Sequence, residues 1–228
     1  MFYYSPSFDK NDTFWEKHQP ILSKRIKQAC QKKSVVIKKI KLVQCKHNGK
    51  PAWAQNDAMM EAYLDGMDYG YRINDDTLLQ TTGWTEKFIG ALESLDPPNI
   101  GVVGPTHSRG NMNILTYDFT SMKHIDIFGY HYPKLFTDWF AGNFNHIKWA
   151  ERKSAKLASK NSFLKDHETS FFISDNWITM VYQPGRSIKL KEVTLNHLVE
   201  QETRYSIHRI SKILLEEQLK RDKATLQR

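Results

Sequence analysis

Apolar positions recur at helical spacing over residues 13–33. Phe14, Ile21, Leu22, Ile26, Ala29 and Cys30 share one side, and Thr13 stands where a cap would. The next run, "SVVIKKIKLVQC", is β-branched and partly alternating, which predicts a strand. "HNGK" is a turn signal. Residues 51–65 predict a second helix, opened by Pro51 and closed by Gly66, with Trp53, Met60 and Tyr63 to one side. A short aromatic strand, Tyr69–Ile73, stops on Asn74-Asp75-Asp76. Residues 84–95 predict a helix ended by Asp96-Pro97-Pro98, and "IGVVGP" predicts a buried strand. This alternation predicts one α/β domain over residues 1–228, with a mainly parallel sheet and helices on both faces. The irregular stretch from Thr106 to Phe140 predicts loops and short strands across the mouth of the sheet. Residues 206–228 predict an amphipathic C-terminal helix, with Ile207, Ile210, Ile213, Leu214 and Leu219 on one side.

The acidic pair changes this picture. Two adjacent carboxylates at the end of a buried strand repel each other and lose hydration. A hard divalent cation, which takes oxygen ligands, removes both costs. In open α/β sheets ligands gather at the carboxyl ends of strands, where Asp75 and Asp76 fall. The same residues also suit a plain turn or a helix cap.

Composition narrows the classes. The net charge is +8, with basic residues concentrated in Lys24–Lys50 and in the last helix. Such an excess suits a solvated helix face, nucleic acid, an anionic membrane surface or a phosphorylated small molecule. No zinc-finger, RNP or KH pattern is present, so nucleic acid is disfavoured. Cys30 and Cys45 have no metal-ligand spacing and read as small apolar residues. No apolar run reaches about eighteen residues, so no transmembrane segment is expected in this chain and a soluble, by default cytoplasmic, protein is.

The ordered series "GKPAWAQNDAMMEAYLDGMDYGYRINDDTLLQTTGWTEKFIGAL" carries a helix with an early asparagine, an acidic strand end, and "GW" opening the next helix. Together with "PPNIGVVGPTHSRGN", "ILTYDFT", "HIDIFGYHYPKLFTDWF", "DNWITMVYQPGR" and "HLVEQETRY", it resembles the nucleotide-sugar glycosyltransferases of the GT-A fold. The likeness covers about residues 48–141 and 175–217. It implies a Rossmann-like sheet, a nucleotide-sugar donor, Mn²⁺ or Mg²⁺, and an acceptor hydroxyl on a glycan, protein or small molecule. Some members of that family work in the secretory pathway.

The likeness also assigns residues. Asp76 takes the place of the direct metal ligand. Asp75 takes a place facing the ribose or the metal's waters, and Asn74 replaces the first acid of the usual DxD motif. His197 matches a distal histidine that completes the metal shell, and Arg204 stands where it could reach phosphate. An inverting transferase needs a carboxylate to take the acceptor proton. Asp175 in "DNW" is the first candidate and Asp138 in "FTDWF" the second; both also suit a helix cap. Trp84 suits either sugar stacking or core packing.

Two departures stand out. "FYYSPSFD" reads as the second strand of the nucleotide-binding half, so the first strand is expected to be missing and the chain truncated. Residues 142–174 form a lysine-rich block that interrupts "FTDWFA" and "DNWITMVY", and it reads as an insertion or a retained intron. Both departures, with Asn74, keep a second reading open: an inactive remnant or binding protein.

Overall fold

The computed structural model describes residues 2–4, 6–8, 13–32, 37–74, 77–107, 113–134, 173–198 and 212–227. Asp75, Asp76, Asp138, Arg204 and residues 142–172 of the lysine-rich block lie outside the described residues. Strands β1 (Phe2–Tyr4) and β2 (Ser7–Phe8) precede helix α1 (Thr13–Lys32). Strands β3 (Ile37–Ile40) and β4 (Val43–Gln44) follow, and β1 pairs with β3 and β2 with β4, both in parallel. Helix α2 (Pro51–Leu64) begins on the proline, whose missing N–H suits a first helical position.

The remaining elements are β5 (Tyr69–Tyr71), β6 (Thr77–Leu79), α3 (Trp84–Glu93), β7 (Val102–His107), β8 (Phe119–Ser121), α4 (Lys123–Phe128), α5 (Ile173–Val181), β9 (Ser187–His197) and α6 (Lys212–Leu226). Five strands form one sheet in the order β5-β8-β7-β9-β6. The protein is thus α/β, but this sheet is mixed. Only β7 and β9 pair in parallel; β5–β8, β8–β7 and β9–β6 are antiparallel. The alternation of helices and strands does not report strand direction. The chain between β7 and β8 contains no described helix, and it returns alongside β7 in the opposite sense. The short strand β6, which the apolar pattern did not predict, closes the far edge.

Helices cover both faces of the sheet. Val102 and Val103 are consecutive in β7 and so point to opposite sides. Val102 packs with Trp177, Ile178, Val181 and Tyr182 of the α5 region and with Leu215 and Leu219 of α6. Val103 packs with Phe88 and Leu92 of α3, Phe119 and Val193. Trp84 belongs to the second cluster, its ring centroid 5.0 Å from that of Tyr71 and 5.7 Å from that of Phe88. Of its two expected uses, the structure gives core packing.

Helix α6 is held by polar contacts as well. The buried carboxylate of Asp222 accepts hydrogen bonds from Trp177 Nε1 at 2.9 Å, Gln218 Nε2 at 2.8 Å and the Tyr130 hydroxyl at 3.0 Å. Among the described residues no helix is long and apolar enough to cross a membrane.

Candidate functional site

The pairings make β5, β7 and β9 run one way and β8 and β6 the other. One end of the sheet therefore collects the carboxyl ends of β5, β7 and β9 with the starts of β8 and β6. This is the end at which Arg72 and Asn74 follow β5, His107 ends β7, His197 ends β9, and Asp118 precedes β8.

The segment Leu115–Asp118 organises this end. It runs beside Gly104 of β7, where any Cβ would stand 2.4 Å from the Tyr117 carbonyl oxygen, so only glycine permits the approach. The Leu115 N–H donates to Thr179 Oγ1 at 2.8 Å, and that hydroxyl donates to the Asp175 carbonyl at 2.7 Å. The Thr116 carbonyl accepts from Arg72 Nη1. The Arg72 backbone N–H donates to the Asp118 carbonyl at 2.9 Å. The Tyr117 ring lies edge-on to two histidines, with centroids 5.8 Å from His107 and 5.7 Å from His197.

Two buried carboxylates act on one guanidinium, Asp175 at ion-pair distance and Asp118 through its charge. Asp175, in the first turn of α5, has Oδ1 3.4 Å from Arg72 Nη2. That oxygen accepts no hydrogen bond among the described residues. Burial raises the Asp175 carboxyl to about 6, Arg72 pulls it back, and Asp118 adds to the rise. Asp118 is fully enclosed. Its Oδ1 lies 2.8 Å from His131 Nε2 without the alignment of a hydrogen bond, and its Oδ2 accepts from the Tyr132 hydroxyl. Burial pushes Asp118 up, but His131, Arg72 and Tyr132 together hold it below the usual carboxylate range. The two aspartates thus differ in proton affinity because His131, Arg72 and Tyr132 together outweigh burial at Asp118, while burial outweighs Arg72 and Ser174 at Asp175.

The surroundings fix these groups. Asn56, the early asparagine of α2, clamps the Tyr132 backbone: its Oδ1 accepts from the Tyr132 N–H at 2.7 Å and its Nδ2 donates to the Tyr132 carbonyl at 2.9 Å. His124 is enclosed, and burial holds its imidazole down at about 3, so the ring is neutral. A carbonyl can only accept, so Nε2 carries the proton, donating to the His131 carbonyl at 2.9 Å. Nδ1 then accepts from the Tyr182 hydroxyl at 2.7 Å. His124 is a satisfied structural residue.

The expected metal ligands divide. Thr77, which follows Asp76 in the chain, pairs with His197 across β6 and β9. The half-buried Asn74 follows Arg72 by two positions. The remaining expected residues, Asp75, Asp76, Asp138 and Arg204, are outside the described set. Among the described residues no three of His, Cys, Asp or Glu are gathered as a metal ion would need.

Sequence reasoning singled out Asp175 and His197 but missed Arg72, Tyr117, Asp118, His131 and Tyr132. A signal existed: Arg72 and Asp118 each interrupt an aromatic, apolar run, and a charge carried into such a run has to find a partner. Comparison of the chain with protein-family models, curated proteins and solved structures gives no match.

Proposed function

We propose that the chain is a glycosyltransferase of the GT-A type, taking a nucleotide-diphosphate sugar as donor, requiring Mn²⁺ or Mg²⁺, and inverting the sugar as it passes to an acceptor hydroxyl. The observation that carries this reading is Asp175. It is a buried carboxylate with an unbonded oxygen and a raised proton affinity, tied to the end of the sheet at which Asn74 follows β5. A general base works best with a pKa close to the operating pH, and about 6 meets that condition.

In the proposed reaction the acceptor oxygen forms its bond to the anomeric carbon while Asp175 takes the hydroxyl proton. The bond from that carbon to the diphosphate oxygen breaks on the opposite side, and its electron pair leaves with the nucleotide. Asp138 is the second candidate for the base. Asp76 and Asp75 are proposed as cation ligands with His197, whose place opposite Thr77 fits that role. Asn74 would face the donor through a neutral side chain, and Arg204 would reach phosphate. A divalent cation bound there screens the two phosphates and stabilises the departing diphosphate. The Rossmann-like sheet of that family belongs to the same proposal; the parallel pairings β1–β3, β2–β4 and β7–β9 support it. The neutral Asn74 favours a second reading, a donor-binding protein without turnover.

The test is transfer from a panel of UDP- and GDP-sugars in the presence of Mn²⁺. Asp76→Ala is expected to abolish turnover while the melting temperature stays within a few degrees. Full activity in that variant would remove the metal from the account.

A further inference from the structure

We propose that Arg72 is the positioning residue of the Asp175 base, holding its carboxylate in one orientation and supplying its counter-charge. This rests on Asp175 acting as the base. The guanidinium is a rigid planar fork. One prong, Nη1, is fixed on the Thr116 carbonyl, and the other, Nη2, stands 3.4 Å from Asp175 Oδ1. The backbone of Arg72 is tied to the Asp118 carbonyl, and the backbone of Asp175 is tied through Thr179 to Leu115. Base and counter-charge are therefore referred to the same four consecutive residues, and neither can shift without the other.

The charge distribution selects the same pair. The groups that face Asp175 are the Arg72 cation, the Asp118 carboxylate and the hydroxyl of Ser174. Those that face Arg72 are Asp175, Tyr132, Asp118 and Tyr117. Asp118 is already answered by His131 and by the Tyr132 hydroxyl. Arg72 also acts on Asp118, but among the described residues it is the one cation within ion-pair distance of Asp175. The 3.4 Å separation is longer than a hydrogen bond to a charged group, so Arg72 supplies charge to Asp175 Oδ1 without donating a hydrogen bond to it.

The experiment follows the Asp175 carboxyl directly, by ¹³C NMR of the folded, aspartate-labelled chain, with Asp175→Asn assigning the resonance. Arg72→Gln removes the charge, and its Asp175 midpoint is expected to rise by about one unit or more. A folded Gln variant with an unmoved midpoint overturns the proposal. Arg72→Lys keeps the charge but cannot span Thr116 and Asp175. Its midpoint is expected within about half a unit of the wild type, while transfer falls by about tenfold or more. Should the Gln variant fail to fold, the lysine variant decides, and a wild-type transfer rate there overturns the proposal. Failure of the base reading itself is separate: Asp175→Asn would then retain turnover whatever the titration shows.

Discussion

A carboxylate enclosed by protein is costly unless something answers its charge, and at Asp175 the answer is partial. Its folded-state pKa, about 6, is raised from the usual 3.8, chiefly by burial. The folded chain therefore binds this proton more tightly than the unfolded one. The stabilisation is complete below about pH 4 and fades as pH rises through about 6, a loss of up to about 3 kcal/mol. Asp118, held below its usual range, works in the opposite sense: its contribution is present above about pH 4 and lost in stronger acid. Two outcomes follow for Asp175. Transfer is expected to rise with pH to a plateau, with a midpoint near 6, in a rate profile measured from pH 4.5 to 8. In denaturant titrations, Asp175→Asn is expected to gain on the wild type between about pH 4 and 6. A parallel pH dependence in the two proteins would contradict the raised affinity. Asp175 was legible in the sequence because it opens an aromatic helix in a recognisable order of motifs. Arg72 and Asp118 were visible only as odd charges, since their partner is chosen by a fold that brings residues 72, 118 and 175 together.

At the scale of elements, α3 and β7 followed their apolar spacing, because each presents a continuous face to the core, whereas α2 kept its bounds but buries Ala52, Ala54, Met59 and Ala62 in place of the expected Trp53, Met60 and Tyr63. The three-residue strand β6 was hidden. Thr77–Leu79 has no periodicity of its own and is a strand only because β9 is long enough to pair with it at His197. Helix α6 illustrates a different limit. Its predicted apolar side correctly named Leu219, but Asp222, which that side did not include, is buried as well and accepts the hydrogen bonds that seat the helix. Asp222→Ala leaves the buried Trp177 and Gln218 donors without their acceptor. It is expected to cost about 3 kcal/mol in chemical denaturation, with Asp222→Asn costing less. A loss under about 1 kcal/mol would mean that apolar packing alone holds α6.

For the whole molecule, the α/β class and the covering of both sheet faces could be read from the order of elements, whereas strand direction could not. Periodicity reports which side of a strand is buried and is blind to which way the chain runs. Three antiparallel pairings therefore entered unannounced. Whatever the sheet type, Arg72, Asp118, His107 and His197 all fall at one end of it. The central proposal is that this end, with the Asn74-Asp75-Asp76 sequence, binds a nucleotide diphosphate through a divalent cation. The most direct measurement is calorimetric titration of the folded chain with UDP and with GDP, each with and without Mn²⁺, repeated on Asp76→Ala. The account predicts binding of one nucleotide that requires Mn²⁺ and disappears in the variant. Absence of binding to either nucleotide in the folded chain, or binding indifferent to both metal and Asp76, would contradict it.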